Sequence, residues 1–187
     1  IPEMTTALSR LLKSIAKDER QRVPIQTELD FLNDYYTIQK YRYGGSITMD
    51  VSLADDALTN NEILRFTLQP IVENAIFHGI EPKGAAGAVG IRVRKNSDGN
   101  VCIDVTDDGV GMDSETVAQL LTGEKKSSSN FFRDIGISNV HKRLQYEYGE
   151  AYGLSFSSEI GKYTTVTVTL PEKPYKEQAA STGGNHV

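Results

Sequence analysis

Cysteine, histidine and long apolar runs are scarce in this sequence. Its 187 residues include one cysteine, Cys102, and three histidines. One cysteine excludes an internal disulfide, and the three histidines do not complete a zinc site around it. No apolar run approaches the roughly 18 residues that span a bilayer, and no charged and then apolar leader opens the chain. We therefore expect a soluble piece from a reducing, cytoplasmic compartment, without direct membrane contact.

Runs of basic residues are missing as well. Twenty basic residues stand against 25 acidic ones, which gives a net charge of −5. Nucleic acid is therefore not an expected partner. The hydrophobic fraction of 39% suffices for one core, and the length allows one domain with an appendage. The chain opens at Ile1 without an initiator methionine, so we interpret it as a fragment of a longer protein.

Residues 1–45 are predicted to form two helices. Apolar residues at helical spacing from Met4 to about Lys17 predict an amphipathic helix that needs a partner. A second helix follows, with Thr27 as its cap and its end at Gly44-Gly45. Neither helix has a core of its own.

Residues 46–172 are predicted to form one α+β domain. Apolar and polar residues alternate from Ile47 to Leu53, which indicates a half-buried strand. The order of elements predicts a mixed sheet with helices on one face. Residues 173–187 are polar and are predicted to be a disordered tail. The other predicted elements are a helix from Asn61 to about His78, a hairpin around 97–100, a short helix capped by Asp113 or Ser114, a helix from about Ile137 to Tyr148, and strands at 154–156 and 164–170.

Common nucleotide motifs are missing. Gly79 and Gly84 have the spacing of a phosphate-binding loop, but Ala85-Ala86 stand where Lys and Ser or Thr are needed. The dinucleotide pattern G-x-G-x-x-G does not occur, and residues 107–111 lack the oxygen ligands of a calcium loop.

Three weaker elements remain. Asn74 and His78 lie one helical turn apart, so an amide oxygen suited to Mg²⁺ and an imidazole suited to phosphate share one face. Asp107 follows a strand and precedes Gly109 and Gly111, where a carboxylate could accept from an adenine amine beside open backbone. Each also has an ordinary explanation, as a helix end or an acidic turn.

The third element is Gly136, which is predicted to open a helix after a polar loop. Free backbone N–H groups at a helix start bind anions, so this position could hold a phosphate. A plain helix start with Ser138 near the cap explains the pattern equally well.

Taken together and in order, these motifs resemble a known family. Residues 68–80, Leu-Gln-Pro-Ile-Val-Glu-Asn-Ala-Ile-Phe-His-Gly-Ile, closely resemble the N-box of LytS-type sensor histidine kinases, in the superfamily of gyrase, MutL and heat-shock chaperone ATPases. Residues 107–111 and 136–144 are similar to its two glycine boxes, and 161–165 to its closing Gly-Thr element. Residues 29–43 are similar to the segment that joins the dimerisation helices to the catalytic domain.

The resemblance implies a two-layer α/β sandwich, the Bergerat ATP-binding fold, with ATP and Mg²⁺ as its ligands. It implies that Asn74 binds Mg²⁺, that His78 approaches phosphate, and that Asp107 reads the adenine amine. Residues 124–133 would be the mobile lid over the nucleotide. The implied phosphate contacts come from Gly136 and Ile137, and Thr164 would support the nucleotide from the last strand.

The implied activity is transfer of the ATP γ-phosphate to a histidine on a dimerisation helix and thence to a response regulator. The parent would be a membrane-anchored homodimer. The implied phosphoacceptor lies in a Pro-His-Phe motif, which neither His78, His141 nor His186 matches, so we expect no autophosphorylation by this chain alone. His141 is interpreted as a surface residue.

Three positions depart from the family pattern. Asp134 and Tyr163 stand where glycines are usual, so a non-catalytic module that dimerises and binds a regulator is one alternative. Pro70 stands where the ATPase relatives carry a water-activating Glu, which disfavours a second alternative, a gyrase-like or chaperone-like ATPase. Glu73 is the nearest acid and is therefore the candidate catalytic carboxylate.

Overall fold

The computed structural model describes residues 2–17, 21–84, 86–122 and 131–177. None of the helices in these ranges is long and apolar enough to cross a membrane. The helices are α1 (Pro2–Lys17), α2 (Ile25–Arg42), α3 (Leu68–Asn74), α4 (Ser114–Thr122) and α5 (Phe131–Tyr148). The strands are β1 (Arg22–Pro24), β2 (Ile47–Leu53), β3 (Glu62–Leu64), β4 (Gly87–Lys95), β5 (Val101–Asp107), β6 (Gly153–Glu159) and β7 (Tyr163–Leu170).

A five-stranded sheet forms one layer of the fold. Its strand order is β2-β4-β5-β7-β6, with β2 parallel to β4 and the other pairs antiparallel. Alternate residues of β7, from Thr164 to Leu170, are buried, so one face of the sheet lies against the helices and the other is polar. The predicted two-layer α/β arrangement with a mixed sheet is confirmed.

Helix α2 belongs to the same hydrophobic core as α3 and the sheet. Ile25, Leu29, Leu32 and Tyr35 are buried there. Burial of one α2 face explains why this helix does not need a core of its own.

Helix α1 packs on α2 through Ala7 and Leu11, which are 3% and 9% exposed. Arg10 adds an exposed ion pair to Asp34 at 3.2 Å. Leu8 and Leu12 remain 48% and 59% exposed, as expected for an amphipathic helix with a further apolar face.

The predicted helix start at Asn61 is wrong. Strand β3 occupies Glu62–Leu64 and pairs antiparallel with β1, and α3 begins only at Leu68. The extended backbone of β1 supplies hydrogen bonds that a helix would have supplied locally, and tertiary pairing therefore overrides the helical spacing. The predicted cap at Thr27 is also wrong, because α2 begins at Ile25, directly after Pro24.

Two further boundaries differ from the prediction. Helix α5 begins at Phe131, so residues 131–136, which were predicted to be a loop leading to a helix start, are helical. The predicted tail is ordered at its beginning: Lys173 N donates to Asn61 Oδ1 at 2.7 Å, and Tyr175 N donates to Asn60 O at 2.8 Å. Residues 178–187 lie outside the described part of the chain.

The side chain of Asn61 connects the start of β3 to residues 171–173, and the residue is 4% exposed. Its Nδ2 donates to the carbonyls of Glu62 at 3.0 Å and Pro171 at 3.2 Å, while Oδ1 accepts from Lys173. Removal of a side chain that satisfies buried backbone groups leaves those groups without partners, and each such loss costs about 1–3 kcal/mol.

We predict that Asn61→Ala lowers the free energy of unfolding by about 2–3 kcal/mol, measured by urea denaturation, because buried backbone groups lose their partners. The control is Asn60→Ala, since the contact of Asn60 to Tyr175 uses only its backbone carbonyl. We expect a change of about 0.5 kcal/mol or less in the control. Equal losses in the two variants would contradict the role of the Asn61 side chain.

Candidate functional site

Asn74 ends α3 with a polar atom that has no partner among the described residues. The residue is 7% exposed, and its Oδ1 is buried without a hydrogen bond to any described residue. A buried oxygen of this kind is costly unless a ligand satisfies it. Asn74 is therefore the first indication of a binding site.

A π-helical turn continues α3 through Ala75–Ile80. Such turns often occur at functional sites because they reposition side chains within a helix. His78 lies in this turn and is half-buried. Gly79 lies against the sheet, where a Cβ would be 2.7 Å from Cγ of Asp107, so only glycine permits this approach.

Asp107 ends β5 beneath this turn and is 2% exposed. Its Oδ1 accepts a hydrogen bond from Gly109 N at 2.9 Å. Burial raises the pKa of Asp107 to about 6, and the neighbouring charge of Asp108 adds to the rise, while the Gly109 N–H and the charge of Lys83 oppose it. A polar ligand donor at this carboxylate would satisfy a group that the fold otherwise leaves poorly solvated.

The loop after β5 approaches the π turn through its backbone. Val110 N donates to Gly79 O at 2.9 Å, and a Cβ on Gly109 would overlap the backbone of Gly79. Gly111 has a φ of +66°, and a Cβ there would be 2.9 Å from Cα of Ile160. Glycines at 79, 109 and 111 are thus required by the close contact of three segments.

Thr164 faces the same space from β7, where its Cα pairs with that of Asp107. It is 3% exposed, and its hydroxyl lies 2.9 Å from Ser158 Oγ. Ser158 accepts from Met112 N at 2.8 Å and gives its proton to Tyr163 O at 2.9 Å, so Thr164 is the donor to Ser158. The sequence analysis did not select Ser158. Its only indication in the sequence is that it is a polar residue close to the turn between β6 and β7.

One cleft of about 270 Å³ brings five of the predicted residues together: Asn74, His78, Asp107, Gly111 and Thr164. Apolar side chains that the sequence analysis did not select complete its walls. These are Val110, Met112 and Ile160. The cleft therefore combines an apolar surface with a few polar atoms, as is usual for a small-molecule site.

A wider depression of about 540 Å³ lies on the polar face of the sheet. Two of its charged groups already pair with each other, since Arg94 Nε donates to Asp104 Oδ2 at 2.6 Å. We assign the site to the smaller cleft because that is where an unpartnered buried oxygen and a desolvated carboxylate meet. Tyr163 lines the wider depression, with its hydroxyl 3.1 Å from Ser157 Oγ. Its side chain therefore does not enter the smaller cleft.

Four predicted residues do not line the cleft, and the first is Gly109, which lies against the backbone of Gly79. Glu73 accepts from Gln69 Nε2 at 3.0 Å, and its charge adds to the rise that burial causes in the pKa of Tyr35 on α2. Ile137 is 1% exposed in the core. Gly136 follows the first turn of α5, so the predicted helix start at this residue is wrong, and its contact to phosphate stays a prediction.

Other residues that the sequence analysis selected lie outside the cleft or outside the described part of the chain. Residues 124–130 of the predicted lid, and the side chain of Asp134, lie outside the part of the chain that is described. His141, interpreted as a surface residue, is half-buried, and its Nδ1 accepts from Leu154 N at 3.0 Å. Burial lowers the pKa of His141, and the charge of Lys142 lowers it further.

Comparison with known proteins agrees with this geometry. The family model of the histidine kinase-, DNA gyrase B- and HSP90-like ATPases matches residues 59–174, and a histidine kinase model matches residues 1–47. The sensor histidine kinase YesM of Bacillus subtilis is 34% identical over 91% of this chain, and the sensor protein LytS of the same organism is 30% identical over 91%. The chain spans 28% of the length of each.

Solved structures show the same fold. The nucleotide-free catalytic domain of histidine kinase ThkA matches 84% of this chain and 100% of its own chain, with a TM-score of 0.62 and 13% identity. Full-length ShkA in complex with AMPPNP matches 92% of this chain and 35% of its own, with a TM-score of 0.61 and 17% identity. With these matches over nearly its whole length, the chain belongs to the sensor histidine kinases within the histidine kinase-, DNA gyrase B- and HSP90-like ATPase family.

Proposed function

We propose that this chain binds Mg-ATP in the cleft and transfers the γ-phosphate to a histidine on a dimerisation helix of the complete kinase. From that histidine the phosphate would pass to a response regulator. The observation that carries the proposal is the meeting of the unpartnered Asn74 Oδ1 and the desolvated Asp107 carboxylate in one cleft.

The adenine end of the ligand fits the Asp107 side of the cleft. A carboxylate accepts from the exocyclic amine of adenine, and the backbone at Gly79 and Gly109 leaves room for a flat ring. Val110 and Ile160 supply apolar contacts to that ring. The Thr164 hydroxyl is fixed by Ser158 and lies beside Asp107, where it supports the carboxylate side of the site.

The phosphate end fits Asn74 and His78. The buried Asn74 Oδ1 is suited to Mg²⁺, and the described residues contain no group of three His, Cys, Asp or Glu that would hold a metal alone. One uncharged protein oxygen suits an ion whose remaining ligands are phosphates and waters. Such an ion, when bound, neutralises phosphate charge, while His78 lies in position to donate to a phosphate oxygen.

Positioning is the main contribution of these residues, because phosphoryl transfer needs little covalent chemistry from the protein. Glu73 as the catalytic carboxylate, and Gly136 and Ile137 as phosphate contacts, remain predictions. The hydrogen bond from Gln69 to Glu73 gives that carboxylate a structural role as well.

The partners follow from the same proposal. The exposed Leu8 and Leu12 of α1 support homodimerisation through the N-terminal helices, since they form an apolar strip outside the α1–α2 contact. A response regulator would receive the phosphate, and the parent would be membrane-anchored with this region in the cytoplasm.

A non-catalytic regulator-binding module is the main alternative, motivated by Asp134 and Tyr163. The Tyr163 side chain lies on the outer face of the sheet, which removes one of the two reasons for this alternative. A gyrase-like ATPase is disfavoured by Pro70, and steady phosphate release that Glu73→Gln abolishes would revive it.

We predict that Asn74→Ala removes the Mg²⁺-dependent part of nucleotide binding. By isothermal calorimetry, wild-type affinity for ADP should fall at least about tenfold when EDTA replaces Mg²⁺. The variant should bind ADP with the same weak affinity in both conditions, because the metal loses its protein oxygen. Asn33→Ala, on the exposed surface of α2, is the matched control and should behave as wild type.

Transfer itself is tested in a chain that also carries the Pro-His-Phe helix of such kinases, incubated with radiolabelled Mg-ATP. Label on the histidine is expected, and Asn74→Asp should abolish it. Absence of label in both the extended chain and its Asn74→Asp variant refutes catalysis, while micromolar Mg-ADP binding measured by calorimetry counts against the non-catalytic alternative.

We predict opposite effects of Asp107→Asn on stability and on binding. The folded pKa of about 6 lies above the usual 3.8, so the folded chain binds this proton more tightly than the unfolded chain. This carboxyl therefore lowers the free energy of unfolding as pH rises from about 4 to about 6, and the loss persists at higher pH. The variant should be more stable than wild type by about 3 kcal/mol at pH 8, with the difference shrinking towards pH 4.

Urea denaturation across this pH range measures the stability, and calorimetry should find ADP binding weakened at least about a hundredfold, because an amide presents a donor where adenine also donates. Asp108→Asn is the control: its carboxylate is half-exposed, and ADP binding should be retained. A variant that keeps adenine binding, or loses stability at pH 8, would contradict the assignment.

A further inference from the structure

Glu28 is a buried carboxylate on α2 that caps a different helix. It is 4% exposed, and both of its oxygens accept backbone hydrogen bonds from the start of α3. Phe66 N donates to Oε1 at 2.8 Å, while Thr67 N and Leu68 N donate to Oε2 at 2.9 and 3.0 Å. A residue about 40 positions earlier in the chain therefore satisfies the free N–H groups that begin the helix carrying Asn74.

The start of α3 has no local substitute for this cap. Thr67 occupies the capping position, but its hydroxyl donates backwards to Leu64 O at 2.6 Å and makes no capping bond. Phe66 has a φ of +58°, and it is the only non-glycine residue with positive φ among those described. A bulky residue in this region is strained unless its surroundings hold it. Glu28 is the group that holds the turn in place.

Other contacts join α2 to the same turn. The ring of Phe31 packs edge-on against Phe66, with ring centres 5.5 Å apart. The Arg65 guanidinium stacks on the Phe66 ring at 4.8 Å. Burial raises the pKa of Glu28, while the three N–H groups and the charge of Arg65 lower it. The carboxylate, the two rings and the guanidinium form one packed unit.

The geometry of the cleft makes this cap relevant to binding. Asn74 and His78 lie on α3 and its π turn, whereas Asp107 and Thr164 lie on the sheet. Asn74 is six residues beyond Leu68, the first residue of α3, which is about 9 Å along the axis. The position of α3 on the sheet therefore sets the distance between the metal-binding and adenine-binding sides.

We propose that Glu28 is a positioning residue for the nucleotide site, which fixes α3 to α2 and thereby holds Asn74 in register with Asp107. The inference rests on the proposed function. Because α1 packs on α2 through Ala7, Leu11 and the Arg10–Asp34 pair, a displacement of the N-terminal helices reaches Asn74 through this carboxylate. The affinity for nucleotide then depends on the position of the α1–α2 helix pair relative to α3.

The test is Glu28→Gln in this chain, with ADP affinity measured by calorimetry in Mg²⁺ and in EDTA. The amide keeps the size of the side chain but replaces one of the two accepting oxygens with an NH₂ group, so at least one of the three capping hydrogen bonds is lost. We expect Mg-ADP affinity to fall at least about tenfold, with less than a twofold change in EDTA, because Asp107 on the sheet is not moved.

Glu62→Gln is the matched control. Glu62 is also a buried carboxylate, 7% exposed, but its partners are Arg22 and Lys173 rather than α3. The Glu62→Gln variant should have a lower free energy of unfolding, but the ratio of its ADP affinity in Mg²⁺ to that in EDTA should equal the wild-type ratio. In an Asn74→Ala background, Glu28→Gln should have no further effect on Mg-ADP binding. An unchanged ratio in Glu28→Gln, or equal losses with and without Mg²⁺, would overturn the proposal.

Nuclear magnetic resonance of the nucleotide-free chain separates this proposal from the proposed function. Glu28→Gln should shift the side-chain amide signals of Asn74, and Glu62→Gln should not; unshifted Asn74 signals overturn the proposal even if wild type binds no nucleotide. Failure of wild type to bind Mg-ADP refutes the proposed function instead. If Glu28→Gln does not fold, Glu28→Asp, which keeps the charge but shortens the side chain, replaces it with the same expectations.

Discussion

The close contact between the π turn after α3 and the end of β5 is the constraint on which the rest of the site depends. Gly79 lies directly over Asp107, and Gly79 O accepts from Val110 N. A methyl group at either Gly79 or Gly109 would separate the helix from the sheet. The separation would carry Asn74 and His78 away from Asp107 and Thr164, because each pair is fixed to a different layer.

This contact leaves two polar groups in unfavourable surroundings. The Asp107 carboxyl is desolvated, which raises its pKa, and Asn74 Oδ1 has no partner among the described residues. Neither arrangement stabilises the fold. Burial of the extensive hydrophobic core between α2, α3 and the sheet offsets the free-energy cost of both. Groups that are costly in the free protein and satisfied by a ligand are typical of binding sites.

Much of the fold was predictable from the sequence, because period-two alternation marks strands such as Ile47–Leu53 directly. The cleft residues Asn74, Asp107 and Thr164 were found through short motifs that survive as contiguous sequence. The strand at Glu62–Leu64 was not predictable, since its partner strand lies about 40 residues away and its helical spacing misleads. The cap from Glu28 was not predictable either, because Glu28 is also far from its partners along the chain. The first N–H groups of a helix normally bond to the side chain of the residue directly before the helix.

The side of the sheet that Tyr163 occupies has a practical consequence. Tyr163 is adjacent to Thr164 in the chain, yet successive residues of a strand point to opposite faces, so its ring lies outside the cleft. A fluorescent group in its place would be carried by the strand that lines the proposed nucleotide site, and it would not block that cleft. The outer face of β7 is thus a suitable attachment point for an optical reporter of ligand binding.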